Sequence, residues 1–273
     1  MRIPAVLLCP VVGLVTLTSC GRPAGHAASL SVPALPPSAP VQHASQPHDG
    51  AAVAGSVDPD MRVGAIYLNG GTHHVCTGSV VHSAGGNLVI TAAHCLAGAS
   101  RITFVPGLAG DAAPTDQWTA DAVYLDPRWT DSRDPHADYA IVRVSSDKGG
   151  SVESHVGEAL TLGTAPPPGS QVTVTGYPAG VGGSPIGCRV STSVNDSGFP
   201  SVACDGLVGG TSGAPWVSDT MLTGLIGGFE RGGCAADVSY SAPFDEHVAQ
   251  LLVRAEAGGP GDPVPNNVGG TCS

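Results

Sequence analysis

The chain has 273 residues, only 12% of them charged, with 22 acidic against 11 basic side chains and a formal net charge of −11. No basic patch stands out, so nucleic acid is not expected as a partner, and the acidic surface favours solubility. With 39 glycines, 24 prolines and aromatics at 4%, the many short apolar runs point away from helix bundles and towards turn-rich β architecture built on Val, Leu, Ile and Ala.

In chain order, Arg2 opens a mostly apolar run, Ile3 to Leu17, interrupted by Pro4 and Pro10. It is shorter than the about 20 residues that a membrane span needs. Residues 1–20 therefore read as an export signal. Leu17-Thr18-Ser19-Cys20 is similar to a bacterial lipobox, which implies lipidation of Cys20. The alternative is a plain signal cut after small residues such as Ala27 or Ala28. Either route places the chain outside the cell, lipid-anchored to the outer face of a bacterial membrane or secreted. Residues 21–60 include Pro33-Ala34-Leu35-Pro36-Pro37-Ser38-Ala39-Pro40. Such a composition does not build a packed core. It reads as a tether, reaching roughly 120 Å at ~3.1 Å per residue, or as a removable propeptide.

Residues 61–155 form a first β unit. Strands are expected at Arg62 to Leu68, His74 to Val81, Asn87 to Thr91, Ile102 to Val105, Trp118 to Leu125 and Tyr139 to Val144. The stretch Asp126 to Pro135 reads as an exposed loop. Residues 156–257 form a second unit. Val172 to Pro178 is a strand closed by a breaker. Cys188 to Val194 and Phe199 to Leu207 read as a hairpin, and Met221 to Phe229 as a returning strand. Pro243 to Glu256 is the one clear helix, with Phe244, Val248, Leu251 and Leu252 near helical spacing. Residues 258–273 are a tail.

Three segments carry chemistry. Thr91-Ala92-Ala93-His94-Cys95 places a histidine at the end of an apolar strand. His136-Ala137-Asp138-Tyr139-Ala140-Ile141-Val142 places an aspartate at the mouth of another. Gly209-Gly210-Thr211-Ser212-Gly213-Ala214-Pro215 places a serine in a glycine-rich turn. A serine hydroxyl is a poor nucleophile at neutral pH and needs a base, itself oriented by an acid. Among ten histidines, His94 has the most specific context. His73 and His74 are adjacent, so in a strand they face opposite ways. No H-E-x-x-H and no CxxC pair occurs, and no metal or cofactor is expected. Asp138 alone opens an apolar alternating run, unlike Asp126, Asp131 and Asp134. The order His, Asp, Ser is the reverse of the α/β-hydrolase order, and Gly210-Thr211-Ser212-Gly213-Ala214 breaks the G-x-S-x-G elbow at its last position.

These segments resemble the trypsin-like serine peptidases of the chymotrypsin fold, as found in bacterial secreted or lipoprotein members. The resemblance implies an all-β fold of two packed antiparallel six-stranded barrels with a C-terminal α-helix, and a site in the cleft between them. It implies His94 as general base, Asp138 as its orienting acid and Ser212 as nucleophile. The N–H groups of Gly210 and Ser212 would form the oxyanion hole. Gly206, Gly228, Phe229 and Glu230 would line the substrate pocket, and a glycine at 206 argues against preference for Arg or Lys. Where many relatives carry an aspartate before the serine, this chain has Thr211, which cannot pair with a freed amino terminus. Ala214 replaces a glycine. The implied activity is peptide-bond hydrolysis through an acyl-enzyme, with a protein or peptide substrate and a monomeric enzyme. The alternative is a weak or inactive binding or adhesion module on the same fold.

There are eight cysteines. Setting aside Cys9 in the signal and Cys20 leaves Cys76, Cys95, Cys188, Cys204, Cys234 and Cys272, an even set that suggests disulfides in an exported chain. Six cysteines allow fifteen pairings. The family resemblance implies Cys76–Cys95. Cys188–Cys204 and Cys234–Cys272 are expected for the rest, with the pairing among those four left open.

Overall fold

The computed structural model describes residues 52–111 and 116–266. The expected signal, Cys20, Cys272 and most of the proposed tether lie outside them. Among the described residues no helix is long and apolar enough to cross a membrane.

The first unit is a closed six-stranded barrel. Its strands are β3 (Val63–Leu68), β4 (His74–Val81), β5 (Leu88–Thr91), β6 (Ile102–Pro106), β7 (Trp118–Leu125) and β8 (Ala140–Ser145), joined in the order β3-β4-β5-β8-β7-β6. β3 pairs antiparallel with both β4 and β6, which closes the ring and leaves no free edge. β5 is buried along its whole length. Leu88, Ile90, Ile141 and Leu125 are almost fully buried in the shared core. β-Branched and leucine side chains suit such a two-sided environment.

The second unit is a nine-stranded sheet. It holds β9 (Thr161–Leu162), β10 (Gln171–Gly176), β11 (Ile186–Val194), β12 (Pro200–Asp205), β13 (Pro215–Ser218), β14 (Met221–Leu225) and β15 (Val238–Tyr240). Two short strands from before the barrel, β1 (Ala52–Val53) and β2 (Gly55–Ser56), complete it. The core is Val172, Val174, Val190, Val202, Ala214, Trp216 and Ile226, with Ala52 packed against it. The all-β reading with a C-terminal helix holds.

Several local expectations change. The stretch assigned to a tether up to residue 60 joins the folded unit by Ala52. β1 runs parallel to β12, pairing Ala52 with Cys204, and β2 pairs Gly55 with Gly187. Backbone pairing at an otherwise open strand edge outweighed the weak apolar content of that stretch. The expected loop at Asp126 to Pro135 instead contains helix α1 (Pro127–Ser132), whose N-cap Asp126 accepts the Arg128 N–H. A proline at the first helical position fits the same start. A second short helix, α2 (Val152–Val156), was not expected. Strand β14 ends at Leu225 rather than Phe229, because Gly228 adopts φ 77° and turns the chain into a 3-10 segment, Phe229–Gly232. The C-terminal helix α3 (Glu246–Ala257) starts later than expected, capped by the Asp245 side chain, and buries Val248, Leu251 and Ala255.

Candidate active site

His94 lies in a 3-10 turn, Ala93–Leu96, directly after β5. Asp138 ends a second such turn, Pro135–Ala137, directly before β8. Because β5 and β8 are paired, with Thr91 opposite Ala140, the two turns emerge side by side. Asp138 is fully buried. Its Oδ2 lies 2.7 Å from His94 Nδ1, and its Oδ1 accepts the His94 main-chain N–H at 2.9 Å. A third bond comes from the second unit, where the Gly228 N–H donates to Oδ2 at 2.9 Å. Charge-assisted bonds on both oxygens satisfy a buried carboxylate and fix the imidazole with its proton on Nδ1.

The serine turn is brought to the same place by the second unit. β13 begins just after it, and the Gly213 N–H donates to Ile226 O at 2.7 Å. The first barrel holds it from the other side. The Thr77 N–H donates to Ser212 O at 2.8 Å. A Cβ on Gly213, at φ 82°, would land on Thr77 O and Thr91 Oγ1, so only glycine allows this approach. The Cys76–Cys95 disulfide closes beside the imidazole, with Cys95 Sγ 3.8 Å from His94 Nε2 and 3.7 Å from Ser212 O. The Ser212 hydroxyl makes no hydrogen bond with His94 in this structure. Such bonds are often long in unliganded enzymes and tighten with substrate.

The N–H groups of the turn divide into two sets. Thr211 N–H donates to Val208 O at 3.1 Å and Ala214 N–H to Thr211 O at 2.8 Å. Gly210 N–H and Ser212 N–H donate to no acceptor among the described residues. Thr211 is buried, and its hydroxyl donates to Val208 O at 2.8 Å. The position is thus satisfied locally and calls for no cation.

The expected pocket residues lie in two segments of the second unit, Gly206 directly after β12 and Gly228, Phe229 and Glu230 in the turn after β14. Gly206 sits beside Ala54 of the N-terminal segment. Gly228 holds Asp138. Phe229 packs against Phe199 and Tyr240, with ring centroids 5.4 and 5.1 Å apart. Glu230 is exposed and has φ 48°. His136 stacks on Phe199 at 4.3 Å and so links the Asp138 turn to the second unit. Sequence reasoning also missed Thr77, whose only signal was a polar residue inside an apolar strand. Cys188 and Cys204 are bonded across β11 and β12. The expected Cys234–Cys272 bond involves a residue outside those described. His74, the first residue of β4, is buried, while His73 lies before the strand and is exposed.

The family model described as a trypsin-like peptidase domain matches residues 76–225, more than half of the chain. The chain belongs to the trypsin-like peptidase family. Among curated proteins, an extracellular metalloprotease of Bacillus subtilis (strain 168) is 31% identical over 117 residues, covering 41% of this chain and 36% of that protein. The match thus spans about a third of that relative's length. Among solved structures, protease Anisep from Arthrobacter nicotinovorans superposes with a TM-score of 0.65 at 25% identity, over 76% of this chain and all of that one. The thermostable serine protease AL20 from an extremophilic microorganism gives 0.63 at 23% identity, over 72% and 98%. Human heparin binding protein gives 0.59 at 16%, over 78% and 100%. The last two show the fold alone.

The name of the Bacillus relative includes a metal. In this peptidase-family chain, Cys76, His94 and Cys95 bring three potential ligand atoms within 4.8 Å of one another. The two sulfurs are bonded to each other and offer no thiolate. His94 Nδ1 is turned to Asp138. These residues do not fit a metal centre.

Proposed function

We propose that the chain is an exported serine endopeptidase with Ser212 as nucleophile, His94 as general base and Asp138 as orienting acid. The observation that carries this reading is the 2.7 Å His94–Asp138 contact beside a serine turn whose Gly210 and Ser212 N–H groups have no acceptor among the described residues. Ser212 Oγ attacks the scissile carbonyl carbon while its proton passes to His94 Nε2. The carbonyl oxygen becomes an oxyanion, held by the two N–H groups. The C–N bond then breaks as His94 returns the proton to the amine. A water repeats the sequence on the acyl-enzyme, releasing the acid and regenerating Ser212. Asp138 orients the ring and stabilises the imidazolium.

The Cys76–Cys95 and Cys188–Cys204 disulfides support an oxidising, extracellular setting. The substrate is a protein or peptide chain, and the enzyme acts as a monomer. The wall at Gly206 offers no carboxylate to a basic side chain.

The test is covalent labelling by a fluorophosphonate together with turnover of a protein substrate. Wild type should label at Ser212, and Ser212→Ala should lose both label and turnover with an unchanged circular dichroism spectrum. Undiminished turnover by that variant would refute the assignment. An unlabelled but well-folded wild type would favour the binding-module reading.

A further inference from the structure

The turn that offers Gly210 N–H and Ser212 N–H needs something to hold its peptide planes. Each peptide has two ends, so fixing a carbonyl fixes the N–H on the same plane. The carbonyl before Gly210 belongs to Gly209 and accepts the Ala179 N–H at 2.8 Å. The carbonyl of Gly210 accepts the Thr77 hydroxyl at 3.0 Å. Thr77 is fully buried. The same hydroxyl accepts the Tyr177 N–H at 2.8 Å. Its single donor and one acceptor site are both used within the protein. Thr77 also donates its N–H to Ser212 O at 2.8 Å, and its carbonyl accepts the Thr91 hydroxyl at 2.7 Å. One residue of the first barrel therefore grips the serine turn at two carbonyls and ties it to the segment from Tyr177 to Ala179.

From this we infer that Thr77 is a positioning residue for oxyanion stabilisation. Its hydroxyl holds the Gly210–Thr211 peptide, which lies between the two peptides that carry the Gly210 and Ser212 N–H groups and whose own carbonyls accept the Ala179 and Ala214 N–H groups, so that the site is formed before substrate arrives and without help from a freed amino terminus. Gly210 has φ 99°, and a Cβ there would collide with Ala179 N. The clamp thus acts on a residue that would otherwise be among the least constrained in the chain. Thr211, satisfied by Val208 O, leaves no buried anion for an ammonium group to neutralise. The inference rests on the peptidase reading above.

The decisive variants are Thr77→Val, which keeps the shape but removes the hydroxyl, and Thr77→Ser, which restores it. Rates are taken per active site, counted by fluorophosphonate titration. Thr77→Val should lower kcat roughly 10–100-fold, less than the 10²–10³ typical of deleting an oxyanion donor outright, with KM changed under about threefold. Affinity for a peptide boronate, which places a tetrahedral oxyanion in the site, should fall in the same proportion as kcat. Thr77→Ser should recover most of both. A Thr77→Val enzyme with normal kcat per labelled site, or with KM bearing the whole loss, would overturn the inference. If Thr77→Val does not fold, Ala179→Pro removes the other half of the clamp from a partly exposed loop and should show the same split between kcat and KM. Failure of the peptidase reading is separable. A wild type that neither labels nor turns over ends that reading, while amide hydrogen exchange across residues 208–213 still reports the clamp. Exchange there should quicken in Thr77→Val, and unchanged exchange would remove the clamp itself.

Discussion

Asp138 grips His94 twice, by the ring at 2.7 Å and by the main chain at 2.9 Å, while the Gly228 N–H from the other unit shares the ring's oxygen at 2.9 Å. A carboxylate held this way sets both the tautomer and the angle of the imidazole, and couples them to the position of the second sheet.

Replacing Asp138 by Asn should leave shape and most packing intact but present an N–H₂ group where two donors converge. The imidazole then loses its preferred tautomer. We expect kcat/KM to fall by about 10⁴, the loss typical of this change in a Ser-His-Asp site. Steady-state kinetics on an activated ester and a peptide would measure it, and a loss under tenfold would mean that Asp138 does not orient His94.

The Cys76–Cys95 bridge closes a loop with a sequence separation of 19 that contains both Thr77 and Thr91. A double Cys→Ser change should cost about 2–4 kcal/mol of stability. It should also slow fluorophosphonate labelling, because Cys95 Sγ borders both His94 and Ser212. Denaturant melts of the variant and of oxidised wild type should differ by that amount. Equal stability with and without the bridge would contradict the prediction.

Asp126 is a buried cap whose carboxylate binds Arg128 through main chain and side chain and accepts the Tyr139 hydroxyl at 2.8 Å. Burial alone would raise its pKa, but the bonds from Arg128 and Tyr139 prevail and hold it below the usual carboxylate range. A depressed pKa contributes stability above the unfolded value, about 3.9, and that stability is lost as pH falls through the folded value. Asp126→Asn should therefore be less stable by roughly 2–3 kcal/mol at pH 7, with the difference narrowing below about pH 4. Urea melts across pH 2.5–7 (a range set by about 3.9 for the unfolded carboxylate) would check it, and a difference that does not change with pH would exclude the linkage.

The segment Ala52–Ser56 pairs with β11 and β12, and the Ala54 N–H donates to Asp205 O at 2.8 Å beside Gly206. Removing residues 1–51 should leave melting temperature and peptide KM nearly unchanged. Removing residues 1–57 should lower the melting temperature by several degrees, about what 1–2 kcal/mol produces in a domain of this size, and raise KM more than it lowers kcat. If export processing trims the chain, mass spectrometry should place the new terminus before Ala52. A mature terminus beyond Ser56 would contradict this.

The segments proposed as catalytic were legible because their chemistry is local. A five-residue run around His94, an aspartate opening an apolar strand and a serine in a glycine turn each announce themselves within a few residues. So did most barrel strands, since burial on both faces demands runs such as Leu88-Val89-Ile90. Helix α1 was hidden because proline and several acids mimic a loop, and only the Asp126 cap with the buried Trp129 made it helical. The early end of β14 was hidden too, because nothing in Ile226-Gly227-Gly228-Phe229 announces that Gly228 will donate to a carboxylate far back in the chain.

The amino-acid sequence by itself determined which side chains could form a nucleophilic site and which fold class could hold them. Tertiary structure alone decided that Thr77 meets Gly210, that Ala54 meets Asp205 and that His136 stacks on Phe199. Those contacts join residues far apart in the chain, and their energy depends on two sheets closing around a shared seam, which no local pattern of residues records.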